Sequence, residues 1–317
     1  MAKVGVGRLP VRALGSAMST DRACQVLAVV GWSNIGWPTA WSLLWIAVGG
    51  AYVWAVDRTR RAGDPGRAGH RWPPRRLTLF LCGIALVAAA PVIGSAAGSS
   101  RPFASAVIEH LVLGMAGPAF LALGAPVALA LRAAGPARPT VRRVVHHPVV
   151  SVLTNPFVVW PAFSGSLLVL YLTPLLRFTE SHGAAHLLVH AHMVVTGTLF
   201  FGLVLGVDGG RWTLPHAGRA LLLVLSLPVH AFLGVVLMTA DRPLPGALPG
   251  PDVLADQRLA ASILWGGGEL ILLVVGGPLI AAWFRSEEQK GHREDVRRDL
   301  LGTSSEPRSM EGLSNRS

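Results

Sequence analysis

Cysteine is nearly absent from this chain. The two that occur, Cys24 and Cys82, form no CxxC pair and no zinc spacing, so neither a disulfide framework nor a thiolate metal centre is indicated. Charge is scarce as well: 14% of the 317 residues are charged against 51% hydrophobic, and a soluble protein of this length needs more charged surface. No phosphate loop, nucleophile elbow or HExxH is present, which leaves no signature of an enzyme. The net charge of +11 raises nucleic acid as a partner. The basic residues, however, lie mainly in loops between apolar runs, the placement that membrane orientation requires. The sequence therefore reads as an all-α, polytopic membrane helix bundle with no nucleic-acid partner.

What the chain has in abundance is long apolar segments. Residues 1–36 read as a flexible flank whose one apolar piece, 26–30, is too short for a signal-peptide core. Seven spans are expected across a domain of residues 37–284, at about 39–56, 77–94, 105–132, 156–176, 183–206, 219–240 and 259–284. Trp41, Trp45, Tyr52 and Trp54 along the first suit interfacial anchoring. The third is longer than a bilayer needs, and Pro118 and Pro126 should kink or loosen it. Residues 133–155 read as a basic loop. Residues 285–317 read as a cytoplasmic polar tail, disordered beyond a short helical start.

The loops set an orientation. With the N-terminus outside, inner segments hold 18 Lys and Arg and outer segments 8, so the positive-inside rule places the C-terminus in the cytoplasm.

One stretch stands out, SHGAAHLLVHAHMVVTGTLFF at 181–201. His182, His186, His190 and Met193 recur at spacings of four, four and three, which puts them on one helix face. His182, at the helix end, reads as facing water. Ionisable residues inside a span are costly and mark functional sites by default. Imidazole with thioether suits copper, and methionine favours Cu(I). The orientation brings further polar residues to similar depth: His110 in the third span, His192 in the fifth, His230 in the sixth and Glu269 in the seventh. Met115 and Met238 lie in the same outer half. The candidate metal set is His110, His186, His190, His192, His230, Glu269 and Met193. Glu109 and His110 do not form a dyad, since neighbours on a helix diverge. Asp256 reads as a cap for the last helix.

Six pieces carry a family resemblance: RWPPRRLTLFLCG, EHLVLGMAGPAFLALGAPVALALR, HLLVHAHMVVTGTLFFGLVLGVD, LPVHAFLGVVLM, DVLADQRLAASILWGGGEL and WFRSEE. With them the chain resembles the CtaG-like family of cytochrome c oxidase assembly factors, in its actinobacterial form. The resemblance implies a seven-span plasma-membrane protein that helps assemble haem–copper oxidases, with copper delivery as the usual inference. Oxidase subunits, a periplasmic copper donor and the lipid bilayer are the implied partners. By motif position His110, His186, His192, His230, Asp256 and Glu269 match residues that the family tends to show. Relatives commonly begin the third span with a His-x-x-x-His pair, whereas here the first place is Ala106. Ala260 and Ala261 stand where glycines are usual, and His190 is an addition. A copper or proton transporter and a haem-binding electron carrier are the alternative readings.

Overall fold

Proline sets many of the helix boundaries in this protein. The computed structural model describes residues 36–61, 72–96, 100–207 and 212–303, and five of its helices open on a proline. There the missing N–H is no loss and the fixed φ suits the first turn. In chain order the helices are α1 (Gly36–Arg61), α2 (Pro74–Ala96), α3 (Pro102–Leu111), α4 (Gly117–Leu123), α5 (Pro126–Ala133), α6 (Arg138–Val145) and α7 (Pro148–Leu153). There follow α8 (Pro156–Leu172), α9 (Leu175–Ser181), α10 (Gly183–Leu205), α11 (His216–Thr239) and α12 (Val253–Thr303). A π turn, Val112–Ala116, joins α3 to α4. No strand occurs among the described residues.

Among the described residues, six helical stretches are long and apolar enough to cross a membrane, and α8 with α9 makes a seventh if that pair, bent by 80°, counts as one span. The bend falls at Thr173–Pro174 and breaks the span expected at 156–176. The expected 105–132 span ends earlier than its apolar length suggests. Its membrane-competent part is Pro102–Leu123, and Ala125 then takes a left-handed conformation, φ 52°. Pro126 disfavours the right-handed helical region for the residue before it, so the chain turns there and restarts as α5. The stretch 133–155 is not a plain loop. It carries a 3-10 turn, α6 and α7, with the His147 ring capping α7 and Asn155 capping α8. α12 runs on to Thr303 through the start of the polar tail. The 1–36 flank, apart from Gly36, and residues 304–317 lie outside the described residues.

The helices share one apolar core. α12 packs along α11 and α3, α10 along α4, the π turn and α8, and α1 along α2. Several buried polar tips find partners across helices, which offsets the cost of burying them. Trp41 Nε1 donates to the Val87 carbonyl at 2.8 Å and Trp72 Nε1 to the Tyr52 hydroxyl at 3.0 Å. Tyr52 donates in turn to the Gly124 carbonyl at 2.7 Å. Outward from the core, Leu44, Val92, Leu188, Val195, Phe232, Leu273 and Val274 are exposed. Such a belt would be a liability in water and is what a lipid-facing surface requires. The Trp72 ring, beside the guanidinium groups of Arg76 and Arg132 at 5.2 and 5.3 Å, marks the basic end of the bundle.

The opposite end is tied by two buried side chains of α12. Both carboxylate oxygens of Asp256 accept from the first turn of α3, from the Phe103 N–H at 2.8 Å and the Ala104 N–H at 3.1 Å. Asp256 thus caps α3, not its own helix as the sequence suggested; the cap of α12 is Asp252, which accepts from the Ala255 N–H at 3.0 Å. Gln257 donates to the Leu237 carbonyl and accepts from the Leu244 N–H, at 2.9 and 2.8 Å. These bonds lock α3 against α12, and α3 carries two of the site residues described next.

Candidate metal centre

The site lies between side chains of α3 and α10, and α10 is held by packing on α4 and the π turn that continue α3. At the start of α10, His182 is exposed. Its Nδ1 lies 2.9 Å from the Phe178 carbonyl, and its ring stacks on Phe178 at 4.1 Å. It stays outside the group, as its position at the helix end suggests. One turn in, His186 is buried, with Nδ1 3.4 Å from Glu180 Oε1. One turn further, His190 is 1% exposed, with its ring centroid 4.0 Å from that of His186 and 5.8 Å from that of His110. Trp41 of α1 closes over His190 edge-on at 5.8 Å.

Glu109 of α3 faces these imidazoles. Its Oε1 lies 3.8 Å from His190 Nε2 and has no hydrogen-bond donor. One donor atom each from Glu109, His186 and His190 fall within 4.8 Å of one another. Gly94 of α2 makes room for the carboxylate, since a Cβ there would stand 2.7 Å from Glu109 Oε2. The sequence reading set Glu109 aside because it does not pair with His110. That reasoning holds for the two neighbours, but it missed that diverging neighbours can serve two different groups. The available signal was the cost of an acid inside an apolar span.

His110 turns the other way. Its Nδ1 is 2.8 Å from the Tyr171 hydroxyl, and its ring lines a small cavity of about 20 Å³ with Met115, Met193, Phe163, Leu264 and His230 among its walls. The π turn explains how His110 and Met115 share this wall. Five residues of regular helix rotate a side chain about 140° past a full turn, whereas the wider π turn, closed by the Gly117 N–H on the Val112 carbonyl, brings the pair back together. Pro118, which has no N–H to donate, follows directly, and the Gly114 carbonyl it leaves packs against Gly197. Single π turns of this kind are frequent at functional sites.

His230 is fully buried, and its Nδ1 is 3.0 Å from the Ser226 carbonyl. A carbonyl only accepts, so Nδ1 carries the proton and Nε2 the lone pair. That Nε2 has no hydrogen-bond partner. The ring fits beside α12 because Gly268 has no side chain; a Cβ there would approach His230 Cδ2 to 2.8 Å.

The structure thus brings His186 and His190 together with Glu109, and His110 together with Met193 and His230. Two candidates stay apart. His192 is exposed on the outer face of α10, its Nε2 3.2 Å from the Ala162 carbonyl. Glu269 is half-buried on α12 and lines neither group. Residues missed by the sequence reading are Glu109, Glu180 and Tyr171. Glu109, Glu180, His186 and Ala106 line an open mouth of about 400 Å³ at the end of the bundle where α3 and α10 begin.

Fold and site together define a multi-pass membrane protein with buried imidazole, carboxylate and thioether groups near one end. Residues 50–286 match the cytochrome c oxidase caa3 assembly factor family, and the chain belongs to it. Curated relatives include uncharacterized proteins of Mycobacterium bovis and Mycobacterium tuberculosis. Each is 33% identical over 248 residues, covering 74% of this chain and 38% of the relative. An uncharacterized protein of Mycobacterium leprae is 31% identical over 269 residues, covering 80% of this chain and 40% of its own. The chain therefore spans about two fifths of the length of these relatives. No solved structure matches the chain.

Proposed function

We propose that this protein is a plasma-membrane assembly factor for haem–copper cytochrome c oxidase and that its cargo is copper, held as Cu(I), with no catalytic reaction of its own. The observation that carries the copper reading is the convergence of His110, His230, Met115 and Met193 on one buried cavity, with a lone pair on His230 Nε2 that no donor meets. Two imidazoles and two thioethers form a soft, low-coordinate donor set of the kind that Cu(I) prefers. The cavity, about 20 Å³, has room for one ion or one water. A porphyrin does not fit, which disfavours the haem reading.

The excess of Lys and Arg at the other end of the bundle supports an orientation with the N-terminus outside and the C-terminus in the cytoplasm. The mouth beside Glu180 and His186 then opens outside. Copper would come from a periplasmic donor, and oxidase subunits in the same bilayer would receive it. A transporter needs polar groups continuing past the cavity. Beyond His230 the buried polar side chains among the described residues are Ser164, Thr196, Ser226 and, at the far end, Ser151, with no buried acid. That favours the assembly role.

The test is Cu(I) affinity of the detergent-purified protein, measured by competition with a chromophoric chelator. One tightly held ion per chain is expected. His230→Ala and Met193→Leu should each weaken it at least about tenfold, which is about 1.4 kcal/mol. His192→Ala should leave it unchanged. A wild-type protein that competes no better than empty micelles would refute the copper reading.

A further inference from the structure

We propose that Glu109, His186 and His190 form a second metal site, which takes a divalent first-row ion and is separate from the soft cavity beneath it. The proposal deepens the copper reading in one respect: it rests on that reading for the mouth as the way in, but not for its own donor set.

The chemistry of the three donors differs from that of the cavity. One carboxylate and two imidazoles, with no sulfur, match Zn(II), Co(II) or Cu(II) and suit Cu(I) poorly. The three donor atoms lie within 4.8 Å of one another, and Glu109 Oε1 is 3.8 Å from His190 Nε2. Metal–ligand bonds of about 2.0–2.2 Å place such donors roughly 3–3.6 Å apart, so small side-chain rotations close the site. The surroundings are those of a ligand group. Glu109 Oε1 is buried with no hydrogen-bond donor, and a carboxylate so placed inside an apolar helix is costly unless something positive meets it. Glu180 stands beyond His186, with Oε1 3.4 Å from His186 Nδ1. A carboxylate that accepts from Nδ1–H leaves Nε2 of the same ring as the ligand atom and makes it a better donor, the usual carboxylate–histidine–metal arrangement. The open mouth lined by Glu109, Glu180 and His186 supplies water for the remaining coordination position.

An ion held there bridges α3 to α10. It also stands between the mouth and His190, whose ring touches the His110 wall of the cavity. Occupancy by a divalent ion should therefore slow Cu(I) uptake without changing the affinity of the cavity itself.

The experiment uses the full-length protein in detergent and Co(II) as the probe, because its visible d–d bands report coordination directly. One Co(II) per chain is expected, with the band intensity of a four- or five-coordinate ion. Glu109→Gln should raise the Co(II) Kd at least about tenfold, and Glu109→Asp, which keeps a carboxylate, should retain most of the affinity. Met193→Leu should leave Co(II) binding within about twofold while weakening Cu(I), and Glu109→Gln should do the reverse. The inference is overturned by a wild-type protein that binds no stoichiometric Co(II), by Glu109→Gln binding as wild type, or by Met193→Leu weakening both ions alike. Loss of Cu(I) binding with the Co(II) pattern intact would sink the cavity reading and support this one.

Discussion

Glu109 and His110 sit next to each other and face different groups, and the whole site depends on that divergence. Both are buried, and successive helix residues point about 100° apart. Glu109 therefore meets His186 and His190 while His110 reaches Tyr171 and the cavity. The histidine row on α10 was legible in the sequence because its spacing matches the helix period. His192 falls off that period, which is why it serves as the control in the Cu(I) measurement. Ala106 lies one turn before His110 and lines the mouth together with Glu109, Glu180 and His186. Glu180 and Tyr171 could not be placed from sequence, since each reaches the site only through the fold.

At the scale of elements, what holds α3 in place is a cap from another helix. The carboxylate of Asp256 satisfies two N–H groups that the helix leaves unpaired, and the residue before α3, Arg101, offers no side-chain cap. Removing it leaves two buried donors without partners. Asp256→Ala should therefore destabilise the bundle by about 1–3 kcal/mol, read as a lower thermal midpoint in detergent. The exposed cap of α12, lost in Asp252→Ala, should cost less, about 1 kcal/mol. If Asp256→Ala melts like wild type but loses metal, Asp256 is a ligand and not a cap. Sequence periodicity found the apolar helices and their prolines but not what each proline does. Pro118 is absorbed by a π turn and Pro126 ends the helix. The difference is set by neighbours: Gly197 accepts the loosened Gly114 carbonyl, and nothing in the local sequence of α4 announces it. The short helices α6 and α7 were hidden because prolines and basic residues read as loop.

For the molecule as a whole, the direction of the bundle in the membrane decides which side the mouth serves. A reporter active only in the cytoplasm, fused after Arg285, should be active, and one placed within residues 243–251 should be silent. The opposite pattern would move the mouth to the cytoplasm and remove the periplasmic donor from the account. Depth arithmetic along separate helices placed His110, His190, His230 and Glu269 at similar depth, yet Glu269 lines neither group in the structure. Depth does not say which way a side chain points, and that is set by how α12 packs on α11 and α3. In the proposed function, a route from mouth to cavity handles copper for an oxidase. Its two ends are His186 and His230. The most direct measurement is cytochrome c oxidase activity in cells carrying His186→Ala with His230→Ala, at normal protein level and limiting copper. A clear loss of activity is expected, partly restored by excess copper through mass action. His146→Ala, at the far basic end, should have no effect. Normal oxidase activity in the double variant under those conditions would contradict the proposed function.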